Sequence, residues 1–143
     1  MNSFVRNMRL RKVFRVLLVV AMLCVAAGSL HAQYNKAYFF WMGREHIIEN
    51  RYRDAIRSLN ILLGVDKDAY EGYFLRGVAK YNLEDLLGAD ADFSQAININ
   101  PVYTLAYQYR AITRARLGNY EDALADFAEA ISLRPDQEGI YFS

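Results

Sequence analysis

Two stretches of the chain repeat one pattern of apolar and polar positions with the same punctuation. In Tyr70–Pro101 and in Thr104–Pro135, apolar residues recur every three or four positions, pause at a short polar turn, resume, and stop at a proline. The second half of each unit carries Ala89, Phe93, Ala96 and Ile97, or Ala123, Phe127, Ala130 and Ile131. Spacings of four, three and one place such a set on one face of a helix. Laid over each other at a shift of 34 residues, the stretches share Tyr73/Tyr107, Arg76/Arg110, Leu83/Leu117, Ala89/Ala123, Ala91/Ala125, Asp92/Asp126, Phe93/Phe127, Ala96/Ala130, Ile97/Ile131 and Pro101/Pro135, ten identities in 32 positions. A fixed period of this length marks a stacked array of helical hairpins.

The pattern predicts helices over Tyr70–Leu83, Leu86–Ile99, Thr104–Leu117 and Tyr120–Leu133. A degenerate copy precedes them. Tyr38–Met42, Gly43, Ile47 and Ile48 read as a first helix, and Asn50-Arg51-Tyr52 as the turn. Ala55, Ile56, Leu59, Leu62 and Leu63 read as a second helix with Gly64 as its stop signal. Asn100 is expected to cap the next helix with Pro101 at its first position. Asn119 is expected to cap the last helix, whose first turn holds Glu121 and Asp122 where the helix dipole favours acids.

These residues resemble the tetratricopeptide repeat (TPR) family over about residues 36–137. The resemblance rests on an aromatic in each first helix (Phe39, Tyr73, Tyr107), a small residue four later (Gly43, Gly77, Ala111), and an alanine in each second helix (Ala55, Ala89, Ala123). A large apolar residue follows (Leu59, Phe93, Phe127), then Ala96 and Ala130 and the closing Pro101 and Pro135. The third unit also has the Gly-x-Tyr turn, as Gly118 and Tyr120. The first unit departs, with Leu62 for the late alanine and Lys67 for the proline. The resemblance implies an all-α fold, an α-solenoid of about three helix-turn-helix repeats. The units are a degenerate 36–69, then 70–103 and 104–137, with 138–143 as the start of an incomplete fourth. Gly43 and Gly77 each cost a helix about 1 kcal/mol against alanine. They are expected to admit the second helix closely, with Ala55 and Ala89 as the facing small partners.

A charge pattern is tied to the same period. Arg76 and Arg110 are each followed 16 residues on by Asp92 and Asp126, while the first unit has Met42 and Ser58 there. Each arginine is expected to pair with an aspartate on a neighbouring helix, in its own repeat or as Arg110 with Asp92 across the junction.

Residues 1–32 read as a targeting segment. Arg6, Arg9, Arg11, Lys12 and Arg15 precede the apolar run Val16–Ala27, and small residues lead to Gln33. A cleaved signal peptide ending at Ala32 is expected, giving an exported, periplasmic or secreted protein. The alternative is a membrane anchor formed by residues 16–30, fewer than the roughly 20 a helix needs to cross a bilayer. The formal net charge is +1, but without those five cations the rest holds 12 basic against 16 acidic side chains. That mildly acidic body offers no basic face for nucleic acid. The only cysteine, Cys24, lies in the apolar run, so residues 33–143 contain no thiol.

The chemistry of catalysis is not evident. His46 is the one histidine outside the leader and reads as structural, and no phosphate loop, nucleophile elbow or zinc pair is present. No catalytic, cofactor-binding or metal-binding residue is assigned, and the chain is not read as an enzyme. The TPR resemblance implies a protein-interaction module whose first helices line a concave face for a peptide or partner helix. The lining residues are expected to be Phe40, Arg44 and Ile47, then Phe74, Val78 and Tyr81, then Gln108, Ile112 and Arg116. An alternative is a structural or assembly component, either a fragment of a longer array or a homo-oligomer joined through an uncapped last helix.

Overall fold

The computed structural model describes residues 17–24 and 35–133. They fall into two compact units, one ending at Asn35 and one beginning at Lys36. Residues 17–24 of the first unit are helical. Among the described residues no helix is long and apolar enough to cross a membrane. The cleavage point after Ala32, Arg134 and the tail 138–143 lie outside the described residues.

Among the described residues the second unit holds six helices: α1 (35–48, beginning at the unit boundary), α2 (Tyr52–Val65), α3 (Tyr70–Asn82), α4 (Leu86–Ile99), α5 (Thr104–Arg116) and α6 (Tyr120–Ser132). Each of α2 to α5 packs on the next, and α3 also touches α5. This is an all-α solenoid of three helical hairpins. Two clusters form its core. Ala55, Leu59, Leu62 and Ala79 make the first. Phe74, Ala89, Phe93, Ala96, Ile97 and Ala106 make the second.

The helical glycines work differently from the expectation. A Cβ on Gly43 would lie 2.6 Å from Leu59, and one on Gly77 would lie 2.6 Å from the Phe93 ring. The partners seated on the glycines are therefore the large residues Leu59 and Phe93, not Ala55 and Ala89. Removing the side chain from the first helix lets the second helix bury a large one completely, which outweighs the helix-propensity cost.

Three turns join first to second helices, and all use one left-handed residue at the same register. Asn50, Glu84 and Gly118 have φ of 59°, 65° and 84°, and each follows its predecessor by 34 residues. Several end signals act otherwise than expected. Asn100 does not cap α5; its side chain accepts from the Val102 N–H at 3.3 Å, Pro101 lies in the turn, and α5 begins at Thr104. Asn119 occupies the N-cap position of α6 without a side-chain cap bond. Asp85 does cap α4, accepting from the Gly88 N–H at 3.0 Å. Helix α2 runs through Gly64 to Val65.

A ladder of ion pairs ties the hairpins together. Arg76 donates to both carboxylate oxygens of Asp92, at 2.8 and 2.6 Å. Arg110 does the same to Asp126, at 2.9 and 2.7 Å. The pairing is within each repeat, and the alternative Arg110 to Asp92 contact is not formed. The remaining guanidinium N–H reaches back 16 residues, from Arg76 to Asn60 at 2.8 Å and from Arg110 to Ser94 at 3.0 Å. A second cation joins each carboxylate, Lys80 on Asp92 at 2.9 Å and Arg114 on Asp126 at 2.9 Å. Arg114 also holds Asp90 of α4 at 2.8 Å. The hydrogen bonding of its guanidinium to Asp92 raises the Arg76 pKa above its ordinary value. Bidentate, largely buried pairs of this kind set register. In the first hairpin, Met42, His46 and Ser58 take the places of arginine, second cation and aspartate. His46 is buried there, and its Nδ1 has no hydrogen-bond partner.

Candidate functional site

The first helices α1, α3 and α5 are neighbours along the array. Phe74 of α3 meets Tyr109 of α5 edge-on at 5.3 Å, and a cavity of about 320 Å³ opens between the start of α1 and the start of α3. Residues spaced by three and four along these helices are only partly taken up by the hairpin cores, with Arg44, Ile112 and Arg116 left exposed.

The nine expected lining residues do not all reach the surface. Phe74 is a core residue, 8% exposed and packed on Phe93 and Tyr103 as well as Tyr109. Its ring is removed from the lining set. The reason is the aromatic cluster of Tyr103, Tyr109 and Phe93 that encloses it. Phe40 and Ile47 are half-buried against the first core, and Val78 and Tyr81 against the second. Gln108 is half-buried, while Arg44, Ile112 and Arg116 are exposed.

Two of the set are brought together. The Arg116 guanidinium lies over the Tyr81 ring at 5.0 Å and pairs with Glu84. That Glu84 bond, followed by one with Tyr81, raises the Arg116 pKa. At the other end Arg44 lies over Trp41 at 5.1 Å. Both cations of the face are thus occupied by aromatic or acidic neighbours.

Besides the expected Phe40, the cavity involves residues outside the expected set. Phe40 and Trp41 form its aromatic wall, with Tyr70 across from them. Lys36, Asp66, Asp68 and Glu71 supply its charges, and Lys36 is paired with Asp66 at 3.0 Å. Trp41 is 58% exposed. The signal for Glu71 was available: positions 37, 71 and 105 lie three residues before 40, 74 and 108 and extend the same helical stripe. Behind the cavity Tyr70 stacks edge-on against Tyr103 at 5.0 Å. Burial, aided by the nearby Glu71 charge, pushes the Tyr103 pKa up to about 12. Among the described residues no group of acidic, histidine or cysteine side chains is arranged to hold a metal ion.

Comparison with known proteins agrees with the helical-repeat fold. The sequence pattern of the tetratricopeptide repeat family matches residues 70–103 and again 104–137, so the chain carries TPR repeats back to back. It is 33% identical over 82 residues to Protein FlbA of Caulobacter vibrioides, covering 57% of this chain and 14% of that protein. It is 32% identical over 98 residues to a DnaJ homolog subfamily C member 7 homolog of Dictyostelium discoideum, covering 66% of this chain and 18% of that one. The chain thus spans less than a fifth of these relatives. Among solved structures, MamA superposes with a TM-score of 0.69 at 25% identity, over 71% of this chain and 59% of that one. The first TPR domain of Spaghetti (RPAP3), solved with the HSP90 peptide SRMEEVD, superposes with a TM-score of 0.70 at 23% identity, over 73% and 82%.

Proposed function

We propose that this TPR chain is an exported, non-enzymatic interaction module that holds a peptide or partner helix along the face of its first helices. The observation that carries the reading is the line of Phe40, Val78, Tyr81 and Ile112. These side chains lie on three helices, of which α3 and α5 belong to hairpins clamped by Arg–Asp pairs and α1 to a first hairpin reached by the Arg76 to Asn60 bond. A rigid scaffold with an apolar stripe suits helix-in-groove or extended-peptide capture. That a structural neighbour was solved with a bound peptide supports the mode. Export is supported by the basic-then-apolar order of residues 6–27.

The test is to pan a random-peptide display library against the full chain. Ile112→Glu should weaken the enriched peptides at least tenfold, about 1.4 kcal/mol. Leu87→Glu, at an exposed site on α4, should leave them unchanged. Loss with Leu87→Glu and not with Ile112→Glu would overturn the reading. Mass spectrometry of the protein from its native host should find Gln33 at the amino terminus.

A second reading, self-association through α6, is favoured by one observation. Tyr120, Leu124, Phe127 and Ile131 are exposed at spacings of four, three and four, the seam of a helix pair. A full chain that stays monomeric in sedimentation equilibrium at high concentration removes it.

A further inference from the structure

The proposed groove carries a more specific feature at its α1 end, and the following rests on that groove reading. We infer that the cavity between α1 and α3 receives a lysine or arginine side chain of the bound peptide. The partner segment is therefore cationic and apolar, not acidic. The first argument is charge. The cavity presents one lysine against three carboxylates, and that lysine is already paired with Asp66. Among the described residues neither Asp68 nor Glu71 has a cationic partner. Arg44, a cation of the same helix as Trp41, is stacked on that ring.

The second argument is the wall. Phe40, Trp41 and Tyr70 line an open cavity of about 320 Å³, room for one long side chain. An alkyl stem packs on such rings while its charged end reaches the carboxylates. A cation near an aromatic face gains about 0.5–2 kcal/mol. The third argument is the rest of the face. Beyond the cavity it offers Val78, Tyr81 and Ile112, and its Arg116 is committed to Glu84 and Tyr81. An acidic peptide would find no unengaged cation there, and would bring its own charges against Asp68 and Glu71.

Trp41 is the only tryptophan in the chain, so its fluorescence reports on this cavity alone. The experiment titrates the full chain with three fluorescein-labelled nine-residue peptides. They are identical in an alanine and leucine background except for lysine, norleucine or glutamate at the centre. Anisotropy reads binding anywhere on the chain, and Trp41 emission reads the cavity. The lysine peptide should bind at least tenfold more tightly than the glutamate peptide, shift Trp41 emission, and lose its advantage in high salt. Asp68→Asn with Glu71→Gln, both at exposed positions, should abolish that advantage and leave norleucine binding unchanged. Equal anisotropy affinities for all three peptides overturn the cavity proposal and leave the groove reading standing. Binding of none overturns both. A Trp41 shift that grows with chain concentration in the absence of peptide assigns the cavity to a second copy and overturns the proposal. So does a lysine-peptide affinity that rises when Arg6, Arg9, Arg11, Lys12 and Arg15 are changed to glutamine, which assigns it to the chain's own leader.

Discussion

The second and third hairpins share the same ladder and differ in what they enclose. Asp92 and Asp126 are each held by two cations in matching geometry. Yet Phe93 is fully buried while Phe127, one period later, is 37% exposed, and Ile97 at 7% corresponds to Ile131 at 56%. Two causes act together. Ala111 places a methyl where Gly77 leaves room for the Phe93 ring. Helix α5 covers the outer side of α4, whereas among the described residues no helix packs on the outer side of α6. Electrostatic register and hydrophobic closure are therefore separable in this array, and the third hairpin has the first without the second.

That separation is open to direct attack. The largest effect should come from Phe93→Ala, about 4 kcal/mol of lost stability, because the ring is enclosed and leaves a cavity. Phe127→Ala should cost only about 1 kcal/mol, since much of that ring already faces water. Urea unfolding of both variants checks the pair, and equal losses would contradict the comparison. Next, Asp92→Ala and Asp126→Ala should each cost about 3 kcal/mol, the second slightly less, because each leaves a largely buried arginine without its carboxylate while Arg114 keeps Asp90. Double-mutant cycles should give coupling of about 1–3 kcal/mol for Arg110 with Asp126. Arg110 with Asp92 should give coupling near zero.

The smallest effect is alkaline and belongs to the junction between these hairpins. Tyr103 is neutral in the native state up to about pH 12, above its ordinary value of 10.0. A raised phenol pKa means the unfolded chain releases its proton first. The associated stability is complete below about pH 10 and is lost as the pH climbs toward 12. Melting temperatures of the natural chain should therefore fall faster than those of Tyr103→Phe across that window, with no difference at pH 7.

Much of this was legible from the residues alone. The period, the helices of the two better-formed repeats and the pairing of Arg76 and Arg110 with aspartates follow from the 34-residue spacing, because one register places equivalent side chains against equivalent neighbours; that each pair closes within its own repeat was seen only in the structure. The second bonds of each arginine, to Asn60 and Ser94, were hidden, since asparagine and serine look interchangeable with any surface residue until the backbone brings them near. The roles of Gly43 and Gly77 were half legible. Their smallness pointed to close approach, but which side chain fills a gap depends on rotamer and crossing angle rather than on spacing. Phe74 misled for the same reason. Its position on the stripe was right for the groove, and the burial came from an aromatic cluster assembled by residues as distant as Tyr103 and Tyr109. The α1–α3 cavity escaped because it draws on the α2–α3 connection, Asp66 to Ala69, which helical periodicity does not describe.

The backward bond of each ladder arginine has a consequence for how such a chain can lengthen. Duplicating the second hairpin would set a new Arg76 against Ser94, the partner Arg110 already uses, and a new Lys80 near Asp90. Duplicating the third would set a new Arg110 against Ala128 and a new Arg114 against Leu124, with no acceptor for either. Copies inserted in the middle inherit a complete set of partners, and copies appended after α6 do not. The array is thus a zipper that accepts new teeth between its second and third hairpins.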